Sequence, residues 1–281
     1  MKTAPRLSDI LEQYSALFCD VWGVIRDGHA LLPDAISALQ QARMAGRGVV
    51  LVSNSPRPSA DLAQQLAYMG APDDAWDAIV TSGDATRFAL AERAPGPFLK
   101  IGPAGRDDQL YDGLGLEFVS AEAAHAIVCT GPSGEFGWEP EDYRGMFERM
   151  VARDLELVCA NPDIVVQVGD ELVWCAGALA RLYRELGGTS IISGKPHKPI
   201  YELGYAALAR SGWSEPRDSV LAIGDGPETD IAGARRMGID SLFIGDGILG
   251  SEISGAGIGA AEDALAAYGV AADWYAPHLI W

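Results

Sequence analysis

The chain has 281 residues, enough for about two domains at roughly 150 residues each. With 21 Lys and Arg against 39 Asp and Glu, its formal net charge is −18, which excludes nucleic acid and anionic membranes as partners because both need a basic face. Gly and Pro number 33 and 16, well below the roughly 25–30% that marks low complexity, so the acidity belongs to a folded protein.

Taken in chain order, the segment from Met1 to Ile10 carries Lys2 and Arg6 but no uninterrupted apolar core, so no secretory leader is expected there. No stretch approaches the roughly 20 apolar residues that cross a bilayer, and a cytoplasmic location is expected. Short apolar runs then alternate with helical periods, the order of βαβ units around a parallel sheet. Ala16 to Asp20 is the first strand and Val49 to Ser53 the second; between them Asp34 caps a helix with Ala35, Leu39 and Ala42 on one face, stopped by Gly46. Ser59 opens a helix through Leu62, Leu66 and Met69 to Gly70, and Ala78 to Thr81 is the third strand.

The middle of the chain differs in texture. Phe98 to Ile101, Ala126 to Thr130 and Leu155 to Cys159 read as strands, with helices over Asp107 to Leu114 and Glu139 to Arg153. Ile164 to Val168 and Glu171 to Trp174 flank Gly169-Asp170, a two-residue connection that predicts a hairpin with a type II′ turn. Strands at Val220 to Gly224 and Ser241 to Ile244 then enclose a helix from Thr229 to Met237, closed by Gly238. The expected fold is α/β: a core with a parallel sheet over residues 1–81 and 189–281, interrupted by an inserted α/β domain over 82–188. Cys19, Cys129, Cys159 and Cys175 are dispersed without a CxxC and read as buried thiols rather than zinc ligands or disulfides.

Four clusters carry chemistry. Asp20 ends the first strand, where ligands collect in open α/β sheets, and could be a nucleophile or a metal ligand rather than a turn cap. Ser53 and Asn54 end the second strand, where a hydroxyl and backbone N–H groups can hold phosphate oxygens. Lys195 and Lys198 are two of only four lysines and stand together in Gly194-Lys-Pro-His-Lys-Pro199, which points to a local anion site in an otherwise negative field. Asp225 and Asp230, in Gly224-Asp225-Gly226-Pro-Glu-Thr-Asp230, offer hard oxygen ligands suited to Mg²⁺; Asp230 equally suits the first turn of a helix.

In this order, Asp20-Val-Trp-Gly-Val, Val-Ser53-Asn54, Gly-Lys195-Pro and Gly-Asp225-Gly with Asp230 resemble the four motifs of the haloacid dehalogenase superfamily. The segment between the second and third motifs is similar to the α/β cap of the class IIA branch, which includes 4-nitrophenylphosphatase-like, pyridoxal phosphate and phosphoglycolate phosphatases. Thr81-Ser-Gly-Asp84, Cys159-Ala-Asn-Pro-Asp163 and Cys175-Ala-Gly-Ala178 also resemble that branch. The resemblance implies a Rossmann-like core and a small phosphorylated metabolite as substrate. Asp20 would form an aspartyl-phosphate, and Mg²⁺ would be held by Asp20, the backbone carbonyl of Trp22 and Asp225. Asp230 would hold a metal-bound water or orient Lys195, while Ser53, Asn54 and Lys195 would bind the transferring phosphoryl group. Relatives in this branch are often homodimers through the cap, which extends here as an expectation.

Trp22 departs from the pattern, because phosphatases of the family usually carry a second Asp two residues after the nucleophile. Indole has a donor N–H without useful acidity, so protonation of the leaving group falls to another residue, with Asp27 and His29 as the candidates for a substitute acid and base. Three readings follow: a Mg²⁺-dependent phosphatase with a substitute acid or an activated leaving group; dehalogenase- or phosphonatase-type chemistry on the same scaffold; or a catalytically feeble metabolite-binding protein. Cap residues near Asn161 to Asp163 and Trp174 to Ala178 are the candidates for contacting the leaving group. Arg57 either reaches a second anionic group or pairs with surface acids.

Overall fold

The computed structural model describes residues 1–28, 30–168, 171–253 and 257–281. In chain order, the first part holds β1 (Lys2–Thr3), β2 (Ala16–Cys19), α1 (Pro33–Met44), β3 (Gly48–Ser53), α2 (Ser59–Tyr68), β4 (Ala78–Thr81) and α3 (Ser82–Ala91). The middle holds β5 (Phe98–Ile101), β6 (Ala126–Cys129), α4 (Arg144–Val151), β7 (Glu156–Cys159), the hairpin β8 (Val165–Val168) and β9 (Glu171–Trp174), α5 (Ala176–Glu185) and β10 (Thr189–Ile192). The last part holds α6 (Lys198–Arg210), β11 (Val220–Gly224), α7 (Ala232–Met237), β12 (Asp240–Ile244), α8 (Gly250–Ile253), α9 (Gly257–Ala267) and β13 (Trp274–Ala276).

The main sheet has the order β1-β13-β12-β11-β2-β3-β4, and its pairings are parallel throughout. Its central strands β2, β3 and β11 are apolar on both faces because both are covered. Leu17, Cys19, Val49, Leu51, Leu221 and Ile223 pack with Leu39 of α1 and with Leu62 and Leu66 of α2. The alternate residues Phe18, Val50, Val52 and Ala222 pack on Ile200, Tyr201 and Leu208 of α6. Each such side chain removed from water contributes about 1.5–3 kcal/mol. From β2 the chain moves outward to β3 and β4, while β11 pairs on the other side; the crevice at the carboxyl ends of β2 and β11 is therefore a topological switch point.

A second parallel sheet, β10-β7-β6-β5, is built from the middle of the chain. Its final strand pairs Thr189 with Glu156 through Ile192 with Cys159, so the sheet extends to residue 192, beyond the boundary expected at 188. The hairpin pairs antiparallel, Val165 opposite Trp174; the expected turn at Gly169-Asp170 lies outside the described residues. The helix expected over Asp107 to Leu114 is a single 3-10 turn at Asp108–Tyr111, cut short before Gly113 and Gly115, both at positive φ. Over the stretch expected as one helix from Glu139, a 3-10 turn at Pro140–Tyr143 leads into α4.

Thr81-Ser-Gly-Asp84 proves to be a helix start. The Thr81 hydroxyl accepts from Asp84 N at 3.0 Å and Thr81 N donates to the Asp84 carboxylate at 3.1 Å, a reciprocal capping box. The four cysteines are buried free thiols. No helix among the described residues is long and apolar enough to cross a membrane.

Candidate active site

Asp20 follows β2 directly, its N–H donating to Ile223 O at 2.8 Å. Val21, Val24 and Ile25 then turn inward and are buried, while the N–H groups of Ile25 and Arg26 both donate to Val21 O. This tight loop puts Trp22 on the wall of a cavity of about 450 Å³, which Asp20, Asp27, Asp225 and Asp230 also line. The guanidinium of buried Arg26 lies 4.1 Å from the Trp22 ring centre, a cation–π contact that fixes the indole. Gly23 sits at φ +75, and a Cβ there would lie 2.0 Å from the Asp225 Oδ2 atom. Only glycine permits both that conformation and that approach.

Lys195 is 3% exposed. Its Nζ donates to Asp20 Oδ1 at 2.5 Å and to Asp230 Oδ1 at 2.7 Å, so one ammonium bridges the ends of β2 and the segment after β11. Asp230 is brought back by a π-helical turn at Pro227–Ile231, in place of the α-helix expected from Thr229. Its Oδ2 accepts from Gly226 N at 3.1 Å. Asp225 Oδ2 accepts from Ile248 N at 2.7 Å. Carboxylate oxygens of Asp20, Asp225 and Asp230 lie within 4.8 Å of one another.

The electrostatics show a deficit of positive charge. Burial disfavours the Lys195 ammonium, but Asp20 and Asp230 outweigh that and raise its pKa. Burial and then Asp230 push the Asp20 carboxyl well above its usual range despite Lys195. Burial and Asp230 likewise push Asp225 up to about 7. Three clustered carboxylates against one ammonium, all hard oxygen donors, fit a small dication.

Ser53 and Asn54 are buried at the end of β3. Ser53 Oγ accepts from Ser55 N at 3.2 Å. The Asn54 amide is a hub: its Nδ2 donates to Asp163 Oδ1 at 2.7 Å and to Lys195 O at 3.3 Å, and its Oδ1 accepts from Lys195 N at 2.8 Å. Gly194 allows this junction, since a Cβ there would meet Asn54, Ser82 and Pro162 at under 3 Å. Asp163→Leu leaves the buried Asn54 amide short of an acceptor and is expected to cost about 1–3 kcal/mol. Asp163→Asn, which keeps an acceptor oxygen, is expected to cost less; urea midpoints of the two variants measure the difference.

Other expected residues fall elsewhere. Lys198 is exposed and 3.6 Å from Glu202 in the first turn of α6, so the lysine pair splits and only Lys195 serves the cleft. Arg57 approaches the buried Asp107 carboxylate at 3.6 Å and lines a different cavity. Trp174 Nε1 donates to Glu139 at 2.7 Å. Asp27 lines the cleft and accepts from Ala30 N at 2.7 Å; His29 lies outside the described residues. The sequence reading missed Asp246, Gly247, Ile248, Val165 and Val166, all of which line the cleft. For the first two the signal was present: Gly245-Asp246-Gly247 after β12 repeats the Gly224-Asp225-Gly226 pattern after β11.

A haloacid dehalogenase-like hydrolase model matches residues 17–117, and a second, HAD-hydrolase-like model matches 192–279. A hydrolase of the haloacid dehalogenase-like family from Brucella suis is 41% identical, with a TM-score of 0.86 over 99% of this chain and 100% of that one. Rat chronophin is 25% identical over 275 residues, covering 92% of this chain and 85% of that protein. Glycerol phosphate phosphatase of Mycobacterium tuberculosis, in a complex with calcium, is 25% identical with a TM-score of 0.62, over 85% of this chain and 68% of that one. Matched on both sides of its middle segment and aligned along nearly all its length with the Brucella protein, the chain belongs to the haloacid dehalogenase-like hydrolases, in their class IIA branch.

Proposed function

We propose that this chain is a Mg²⁺-dependent phosphatase that removes the phosphoryl group from a small phosphorylated metabolite through an aspartyl-phosphate at Asp20. The observation that carries this reading is the buried Lys195 ammonium held between Asp20 and Asp230, with Asp225 in the same carboxylate cluster. Asp20 and Asp225, with the Trp22 backbone carbonyl, would hold the metal. When bound, the dication supplies positive charge that offsets the phosphoryl oxygens.

An Asp20 carboxylate oxygen attacks phosphorus, and the bond from phosphorus to the leaving oxygen breaks as that oxygen takes up the electron pair and a proton. Water then attacks phosphorus and surrenders a proton, and the bond to Asp20 breaks to release inorganic phosphate. The Ser53 hydroxyl and the Asn54 backbone hold the transferring group, Lys195 balances its charge, and Asp230 orients Lys195. With indole at position 22, Asp27 on the cleft wall is assigned the proton donor's role. Residues from 82 through the last strand of the second sheet, which ends at Ile192, act as the cap, and the rest of the chain as the core.

The test is release of phosphate from 4-nitrophenyl phosphate with and without Mg²⁺. No turnover by the native chain or by Trp22→Asp would favour a metabolite-binding protein instead. Metal binding is also read without activity. Mg²⁺ at a hundredfold excess over its Kd is expected to stabilise the fold by about 2.7 kcal/mol, and Asp225→Asn to abolish that shift in thermal unfolding.

A further inference from the structure

Two segments from the middle of the chain, Cys159-Ala-Asn-Pro-Asp163 and Cys175-Ala-Gly-Ala178, meet at Asp163. Asp163 N donates to the Asn161 side-chain oxygen at 3.1 Å, and Asp163 O accepts from Gly177 N at 3.1 Å. Gly177 is required for that approach, since a Cβ there would lie 2.0 Å from Pro162 O and 2.5 Å from Asp163 O. The backbone of Asp163 is thus held on both sides, and the residue lies on the wall of the cleft that Asp20 also lines.

The hydrogen bonds fix which oxygen of this carboxyl can carry a proton. Lys195 N–H donates to the Asn54 amide oxygen at 2.8 Å, so the amide nitrogen faces Asp163 and donates to its Oδ1 at 2.7 Å. Oδ1 is therefore an acceptor. Oδ2 takes no hydrogen bond or ion pair among the described residues and is not sealed from solvent. Burial pushes the carboxyl above its ordinary range; the Asn54 hydrogen bond and Lys195 oppose that, and Asp230 adds to it. Asp225 is a further carboxylate close enough to interact with it, and the adjoining groups Cys159 and Cys175 are thiols held neutral by burial. Lys195 is the cation acting on Asp163, and its ammonium is already shared between Asp20 and Asp230. Arg106, which acts on Cys175, pairs with Asp107 at 3.0 Å, and Arg184, which acts on Cys159, donates to Ser190 at 2.8 Å. A phosphoryl dianion at Asn54 would add negative charge and favour the protonated carboxyl further.

We propose that Asp163, as an uncharged carboxyl, donates a hydrogen bond through Oδ2 to a non-bridging oxygen of the phosphoryl group, so that the cap completes the phosphoryl site begun by Ser53, Asn54 and Lys195. The inference rests on the phosphatase reading above and leaves the proton for the leaving oxygen with Asp27. The Asp163 proton stays on Oδ2 throughout. Where Asp163 is ionised in the free protein, that proton is taken from solvent as the group binds and returned when phosphate departs. Binding therefore weakens as pH rises through the pKa of Asp163.

Sulfate, which stays a dianion as pH is varied, is the probe, with Mg²⁺ in excess in every arm. Calorimetry in buffers of different ionisation enthalpy reads the protons taken up, and Kd is followed from the ordinary carboxylate range upward. In the native chain, uptake is expected to approach one proton per sulfate above the pKa of Asp163, with Kd weakening about tenfold per unit of pH. Asp163→Asn keeps an acceptor for Asn54 and puts a permanent N–H donor in the place of Oδ2. It is expected to bind sulfate without that uptake, and more tightly than the native chain at high pH. Asp163→Leu is expected to weaken binding at low pH by about ten- to a hundredfold, the scale of one hydrogen bond to a charged group; if it fails to fold, Asp163→Asn decides the case. Equal uptake in the native chain and Asp163→Asn, undiminished binding in Asp163→Leu, or no binding of sulfate at all would overturn the inference. So would a loss of turnover in Asp163→Asn confined to alkyl esters, with 4-nitrophenyl phosphate unaffected, because that assigns the carboxyl to the leaving oxygen. Native protein that takes up the proton but releases phosphate from no ester counts against the phosphatase reading alone.

Discussion

Asp20→Asn is expected to lower turnover of 4-nitrophenyl phosphate by on the order of 10⁴–10⁶, the scale of losing a covalent nucleophile, and to remove phosphate trapped on the protein after acid quench. Asn matches the carboxylate in size and leaves Lys195 its second partner, Asp230, at 2.7 Å, so the fold is expected to persist. Circular dichroism and the urea midpoint check that. A variant with an unchanged rate would remove Asp20 from its role, since no other residue is assigned the attack on phosphorus.

Trp22→Asp is expected to act in the opposite direction, and only on some substrates. General acid catalysis is worth about 10²–10⁴ in rate, and it matters where the departing oxygen is a poor leaving group. Alkyl phosphates should therefore gain within that range, while 4-nitrophenyl phosphate, whose phenolate leaves without a proton, should change little. Arg26 limits the gain. Its guanidinium lies 4.1 Å from the ring, so a carboxylate installed there meets a cation that favours its ionised form. The double variant with Arg26→Met is expected to exceed Trp22→Asp alone on alkyl esters. An alkyl rate unmoved in both variants would show that the missing carboxyl does not limit the reaction.

The metal-dependent stability shift separates two contributions that activity assays merge. Asp225 is pushed up to about 7 mainly by burial, so the metal-free cluster carries a penalty that a bound dication relieves. Loss of the shift in Asp225→Asn, with the urea midpoint maintained without metal, would assign that residue to the cation rather than to the core.

The strand ends were legible in the sequence because a parallel sheet covered on both faces writes itself as continuous apolar runs. Asp20, Ser53, Asn54 and Asp225 follow such runs, so their convergence at the carboxyl edge follows from βαβ topology. Helices α3, α5 and α6 were harder to see. Their first turns contain Ser82-Gly83, Ala176-Gly177 and Pro199, residues that read locally as turn, and their burial against neighbouring sheets decides the helical state. Likewise Thr189 to Ile192 lacks a strong apolar run and becomes a strand by completing the edge beside β7.

By itself, then, the sequence determined the α/β class, strands β2, β3, β4, β11 and β12 of the first sheet though not its edge pair β1 and β13, and the order of the chemical groups, because hydrophobic period and strand-end position are local properties. Tertiary structure decided which groups act together. It separated Lys195 from Lys198 by placing one between Asp20 and Asp230 and the other on an exposed helical turn. It joined Asn54 to Asp163 across 109 residues, and it set Asp246 in the wall shared with Asp225. These are distances between residues remote in the chain, and they are fixed only when sheets, loops and buried charges pack against one another.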